Sequence, residues 1–218
     1  QFLPVHFVGG LVEGAVPAGG WNLNYKAGLG NGRAAVISRG GDAGDSNDSR
    51  AWLANVFVKP DRPYGLEFGG SAYGDAVTVQ GVDPTFGEQI VAGYVAWHKE
   101  APEVIAEIAG VRHRDPQTSA VTWSRAYYVQ VAHRLPGQGE AWKPYYRFEH
   151  VGVADGDRVF ASVPKLDMST LGIRYDVSDF AALKGEYRTW RRGAGTPRSR
   201  YTSEPSSSLT CESSTAFE

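Results

Sequence analysis

The sequence predicts an all-β fold: an antiparallel transmembrane β-barrel, of which about ten strands are visible in meander order. Three observations lead to this prediction. Apolar and polar residues alternate along short segments, and the connections between these segments are alternately short and long. The chain also lacks any run of about 18 apolar residues, which excludes a transmembrane helix. Short turns on one side and longer polar loops on the other are typical of barrels in outer membranes.

The strand candidates are assigned by the alternation expected of a strand with two different faces. The clearest candidates are residues 21–30, 142–152, 170–176 and 180–190. Weaker ones are residues 8–16, 51–58, 64–73, 86–97, 103–112 and 121–134. Short turns are expected at residues 17–20, 59–63, 98–102 and 176–179. In residues 86–97 both faces are largely apolar, so the sequence does not assign the polar face of that strand.

Aromatic residues stand beside the short turns and suggest a membrane girdle, since amphipathic rings settle at the boundary between lipid and water. They are Trp21, Phe57, Tyr64, Trp97, Trp142 and Phe180. The alternative is that these rings cap the core of a soluble β-sandwich. Their recurrence at the same end of successive strands favours the girdle.

Composition narrows the function classes. The net charge of −2 and the absence of a basic patch disfavour a nucleic-acid partner. The single cysteine, Cys211, cannot form an intrachain disulfide. No sequence motif for a cofactor, a metal or a catalytic nucleophile is present, so we expect no cofactor and no enzyme activity. Acidic residues in the loop 40–50 could ligate calcium, but their spacing does not match an EF-hand.

The direction of the turns predicts that residues 1–192 form an incomplete outer-membrane barrel. Barrels of bacterial outer membranes have an even number of strands, so we expect one strand before Gln1 and a closing strand after residue 190. Residues 193–218 are rich in Ser and Thr and have no alternating apolar face, which predicts an irregular tail. On this interpretation, the chain is a fragment of a larger barrel.

Three stretches resemble porin-type proteins of the outer membrane, with the phosphate- and polyphosphate-selective porin superfamily as the nearest grouping. They are residues 20–33 (GWNLNYKAGLGNGR), 142–149 (WKPYYRFE) and 172–176 (GIRYD). The resemblance implies a location in the outer membrane of a Gram-negative bacterium, and contact with its lipid. It also implies a channel for passive diffusion of small hydrophilic solutes, anions among them, and is compatible with a homo-oligomer such as a trimer.

Charged residues at alternate strand positions are the candidates for the pore lining: Lys26, Lys143, Arg147, Glu149, Arg174, Lys184, Glu186 and Arg188. The same faces carry Arg134, Glu13, Glu67, Glu103, Glu107 and Asp176, so that cations and anions are balanced. Such charges could select ions, or they could pair across strands without selecting solutes. The concentration of basic residues after residue 142 slightly favours anions.

Two other functions remain open from the sequence. One is a plugged structural or binding barrel that recognises a partner through its extracellular loops, which would show no single-channel conductance. The other is a soluble β-sandwich enzyme, which would be extracted without detergent.

Overall fold

The structure is a computed structural model. It describes residues 8–33, 47–79, 85–178 and 180–193, together with the backbone of residues 204–213. Asp42 and Asp45 of the acidic loop, and His6, lie outside the described residues.

Eleven β-strands make up the described fold, and a short 3₁₀ turn, Gly137–Gly139, precedes the eighth. The strands are β1 (Gly9–Ala18), β2 (Trp21–Asn31), β3 (Arg50–Pro60), β4 (Leu66–Val77), β5 (Phe86–Trp97), β6 (Glu103–Arg114), β7 (Val121–Ala132), β8 (Trp142–Gly152), β9 (Leu166–Ser178), β10 (Ala181–Arg192) and β11 (Glu204–Ser213). They form one sheet in which each strand is hydrogen-bonded to its neighbours in chain order.

The prediction of an all-β antiparallel meander is confirmed. All ten predicted segments correspond to β1–β10, and the bounds of β5 and β8 agree at both ends. The strand order is linear, so that β1 and β11 each have one neighbour in the described sheet, which is not closed. No helix of the described residues is long and apolar enough to cross a bilayer.

In a water-soluble sheet the apolar side chains are buried and the polar side chains face water. On several of these strands large apolar side chains are the exposed ones. In β7 the alternate residues Val121, Trp123, Tyr127, Val129 and Val131 are exposed. Trp123 is 60% exposed, whereas the neighbouring Ser124, on the other side of the strand, is 1% exposed. We call the side of Trp123 the apolar face and the side of Ser124 the polar face.

The same inversion recurs on other strands. Leu29 on β2 and Leu171 on β9 are 67% and 61% exposed, while Thr170, beside Leu171, is fully buried. In β5, whose polar face the sequence does not assign, Phe86, Glu88, Ile90 and Ala96 are buried and Val91 and Val95 are exposed. Glu88 therefore marks the polar face of β5.

Two compact units share the chain. The first is built from the described parts of residues 1–94, 107–126 and 152–163. Its buried apolar side chains include Val77, Phe86, Ile90, Val111 and Phe160.

The second unit is built from the described parts of residues 95–106, 127–151 and 164–218. Its buried apolar side chains include Ala132, Tyr145 and Ala182.

The tail differs from the expectation of an irregular segment, because the backbone of β11 pairs antiparallel with β10. The sequence signal is missing since its residues are mostly small and polar, without an alternating apolar face. A neighbouring strand edge offers unpaired N–H and C=O groups to any extended backbone, whatever its side chains.

Phe57 does not lie on the apolar face of its strand, where the predicted aromatic girdle would be. It lies opposite Gly69, two residues from Lys59 on the same side of β3, and Lys59 forms an ion pair with Glu67 at 3.0 Å. The Lys59 ammonium is 5.3 Å from the centre of the Phe57 ring. The exposed apolar residue at this point is instead its neighbour Val56.

A close approach on the polar face of the second unit requires glycine at position 172. Gly172 is paired with Tyr145 on β8 and with Glu186 on β10. A Cβ atom at residue 172 would overlap the Tyr145 ring, which crosses β9 to donate a hydrogen bond to Glu186.

We predict that Gly172→Ala lowers the free energy of unfolding by about 1–3 kcal/mol, because the Tyr145 ring has to move. Gly87→Ala is the matched control, since the nearest atom to its new Cβ is Arg114 Cβ at 3.9 Å. Urea titrations followed by tryptophan fluorescence measure both. Equal effects of the two substitutions would contradict the assigned packing.

Candidate functional site

The eight predicted pore-lining residues all lie at polar-face positions of their strands. Lys26, in the first unit, forms an ion pair of 2.9 Å with Glu13, and both side chains are largely exposed. The other seven are in the second unit, on β8, β9 and β10. Their role in lining a pore stays a prediction.

Strand register in the second unit arranges these seven residues in rows across β8, β9 and β10. One row is Lys143, Arg174 and Lys184, which are direct neighbours. The next row on the same face is Tyr145, Gly172 and Glu186, and the one after it is Arg147, Thr170 and Arg188. Two basic rows therefore flank a single carboxylate.

Carboxylates accompany each cation of these rows. Lys143 lies 2.8 Å from Glu103 and 3.0 Å from Glu100, and Arg174 lies 2.6 Å from Asp176. Glu186 receives Arg188 on one oxygen and has Lys184 3.5 Å from the other. Most of the charge on this face is thus paired. This agrees with the alternative stated for the sequence, in which the charges pair with one another and do not select solutes.

The row Arg147–Thr170–Arg188 is the exception, because three of its donors make no hydrogen bond to another described residue. They are Arg147 Nε, Thr170 Oγ1 and Arg188 Nε, all buried. Arg147 Nε lies 3.0 Å from Glu149 Oε2, yet neither atom has a hydrogen bond. This ion pair therefore satisfies the distance but not the alignment of a hydrogen bond. Buried donors normally have partners, so this row is where the hydrogen bonding of the described polar face is incomplete.

The turn between β5 and β6 places the carboxylate of Glu100 beside this face. Glu100 accepts hydrogen bonds from Lys143 and Arg134 at 3.0 Å and 2.9 Å. Its partial burial would raise the pKa of the carboxyl, but the two cations outweigh burial and lower the pKa. Glu100 consequently stays ionised and neutralises part of the basic charge.

A fully buried chain of charges in the first unit was not predicted from the sequence. Arg33 donates from Nε to Glu88 at 2.8 Å and from a terminal nitrogen to the second Glu88 oxygen. His113 lies between Glu88 and Asp157, with 2.8 Å from one ring nitrogen to each carboxylate. Arg33, Glu88, His113 and Asp157 are each less than 5% exposed. We call these four residues the buried charge chain.

Neighbouring groups extend the buried charge chain. The backbone N–H of Arg33 donates to Asp75 at 2.8 Å, and the Tyr73 hydroxyl donates to the same carboxylate at 2.7 Å. Asp157 lies in the connection between β8 and β9. Burial would raise the pKa of Asp157, but its hydrogen bonds with His113, Phe160 N–H and Thr122 lower it below the usual value.

The sequence carries only a faint signal for this network. Glu88 is a lone charge in an apolar strand, and His113 has no metal-ligand spacing to another histidine. In the described part of the chain, no group of three or more His, Cys, Asp or Glu residues could hold a metal ion. Both ring nitrogens of His113 are engaged by carboxylates, which leaves neither for a ligand.

No protein-family model, curated protein or solved structure matches this chain. The resemblance to porin-type proteins accordingly stays a prediction.

We predict that Glu88→Gln lowers the free energy of unfolding by about 3–5 kcal/mol, because Arg33 and His113 would lose their shared countercharge in a buried site. Glu13→Gln removes the same charge from an exposed ion pair and should leave stability nearly unchanged. Urea unfolding of both variants at neutral pH tests the difference. A Glu88→Gln protein as stable as the Glu13→Gln protein would show that the chain of charges is not a structural support.

Proposed function

We propose that this chain is a porin-like β-barrel of an outer membrane, through which small hydrophilic solutes, including anions, diffuse passively. One observation carries the proposal: large apolar side chains are exposed at alternate positions of many strands, while Glu88, Ser124 and Thr170 on the other face are buried.

Lipid is the environment that suits the apolar face. Leu29, Trp123, Leu171, Ile173 and Tyr187 are all at least 40% exposed. Leaving such side chains in water forfeits about 25 cal/mol for each Å² of apolar surface. Large exposed apolar side chains on a soluble protein mark an interaction site when they cluster, and their alternation over many strands matches the lipid band of a barrel.

The proposal also requires strand edges to be paired, because unsatisfied N–H and C=O groups are not tolerated in the hydrocarbon region. The edge of β1 away from β2 would therefore be paired in the membrane.

Solute preference is assigned to the row Arg147–Thr170–Arg188. Three buried donors of this row lack hydrogen-bond partners among the described residues, which favours solutes that accept hydrogen bonds. Arg147 and Arg188, on either side of Thr170, both carry positive charge. Lysine and arginine side chains arranged in a ring around a pore favour the passage of anions. The cations of both basic rows are ion-paired, so the row of Arg147 and Arg188 differs from the row Lys143–Arg174–Lys184 by its donors without hydrogen bonds.

The alternative is a plugged barrel that binds a partner through its loops, and one observation favours it. Residues of the β8–β9 connection contact the polar face of β6 and β7, through Asp157 bound to His113 and Thr122. Absence of any conductance from the folded protein in lipid would support this alternative over a channel.

We predict that Arg147→Gln lowers the anion preference of the channel, because it removes one cation and one donor from the polar face. Arg125→Gln is the matched control, since exposed Arg125 lies on the apolar face of β7. Reversal potentials in planar bilayers under a salt gradient measure both. They should shift toward the cation side for Arg147→Gln only.

Equal reversal potentials for the two variants, in channels of normal conductance, would remove Arg147 from the assigned selectivity. Complete absence of conductance in the unmodified protein would instead contradict passage of solutes.

A further inference from the structure

Part of the connection between β8 and β9 folds onto the polar face of the first unit instead of projecting away from it. We call residues 153–163 the strap. Val153, Asp157, Val159 and Phe160 of the strap are buried, and Phe160 is 1% exposed. The Phe160 ring packs edge-on against the His113 ring at 4.6 Å between centres. The strap is thus a packed segment with its own anchor residues.

Asp157 is the principal polar attachment of the strap. Its Oδ1 accepts the backbone N–H groups of Val159 and Phe160, both at 3.0 Å, which fixes the local turn. Its Oδ2 accepts from His113 at 2.8 Å, Thr122 at 3.2 Å and Ser124 at 3.3 Å. One carboxylate therefore holds the strap to β6 and β7 at once.

The proton count on His113 follows from its two partners. A neutral imidazole has one N–H donor, and an imidazolium has two. Both ring nitrogens of His113 lie 2.8 Å from oxygens of carboxylates, Asp157 on one side and Glu88 on the other. With both carboxylates ionised, only the imidazolium satisfies both contacts. The charges of Arg33, Glu88, His113 and Asp157 then alternate in sign and cancel.

Loss of one ring proton would leave the buried charge chain with a net negative charge. Glu88 would keep Arg33 as its countercharge. Among the described residues, no cation would then contact Asp157, because the strap's Arg158 is directed to Asp115 at 3.6 Å. In the same part of the chain, β7 contributes the hydroxyls of Thr122 and Ser124, and Asp75 and Tyr73 of β4 lie beyond Arg33. A buried carboxylate without a cation is strongly disfavoured, so it moves toward water if it can.

The structure makes this movement and the proton exchange feasible. Glu88 and His113 are fixed on strands, whereas Asp157 belongs to a connection. A cavity of about 40 Å³ adjoins the His113 ring and is lined by Asp115, Thr122, Asp157 and Arg158 among others. This volume admits a water molecule, which can carry the proton.

We propose that His113 is a proton-operated clasp: as an imidazolium it holds the strap on the polar face through Asp157, and loss of a ring proton releases the strap. The strap is then held under acidic and neutral conditions and opens as the pH rises. The sheet itself stays folded, because its backbone hydrogen bonds do not depend on the clasp.

Amide hydrogen exchange of the strap, measured by mass spectrometry between about pH 6 and about pH 10 and corrected for intrinsic rates, tests the clasp. We expect exchange of residues 158–161 to accelerate by about tenfold or more as the pH rises. Residues 121–132 of β7 should keep their protection over the same range. His113→Gln should exchange rapidly in the strap at every pH.

Two matched variants control for the substitutions. His133→Gln changes an exposed histidine, and Asp155→Asn changes an exposed carboxylate of the strap, two residues from Asp157. Both should keep the pH-dependent protection of the unmodified protein. Amide exchange can be measured whether or not the protein conducts solutes, so its result tests the clasp separately from the proposed function.

Strap protection that does not change with pH in the unmodified protein would overturn the proposal. Simultaneous loss of protection in the strap and in β7 would overturn it as well, since His113 would then support the whole unit. If His113→Gln does not fold, the pH series of the unmodified protein decides alone.

Discussion

The structure depends on an inverted distribution of polarity across its strands. Side chains alternate sides along every strand, so a strict sequence alternation separates two faces. In this chain Trp123 and Leu171 are exposed, whereas their neighbours Ser124 and Thr170 are buried. Water on the apolar face and hydrocarbon on the polar face would both be unfavourable, whereas the reverse arrangement satisfies both surfaces. The proposed location and function follow from this one constraint.

Enclosing a polar face obliges its charges to find partners, and the two units do so differently. In the second unit, basic and acidic side chains pair along and between β8, β9 and β10, and the row of Arg147, Thr170 and Arg188 retains donors without partners. In the first unit, Arg33, Glu88, His113 and Asp157 are satisfied by one another in a fully buried site. We relate the first arrangement to the proposed solute preference and the second to the proposed clasp.

The sequence predicts the strands well because alternation is a local property. Residues 86–97 and 142–152 are found as strands with the same bounds. Contacts that depend on register are not local: Glu88, His113 and Asp157 are separated by 25 and 44 residues and meet only once β5, β6 and the strap are in place. β11 escapes prediction since its small polar residues carry no alternation, and the face of Phe57 is ambiguous since Val56 and Val58 beside it are also apolar.

The central claim is that lipid covers the apolar face, and tryptophan quenching tests it most directly. Four of the six tryptophans, Trp21, Trp52, Trp123 and Trp142, are at least 40% exposed. In vesicles whose acyl chains carry bromine, we expect strong quenching of their fluorescence, and little quenching by aqueous acrylamide. A protein that folds without detergent, whose fluorescence is quenched by acrylamide and unchanged by brominated lipid, would contradict the claim.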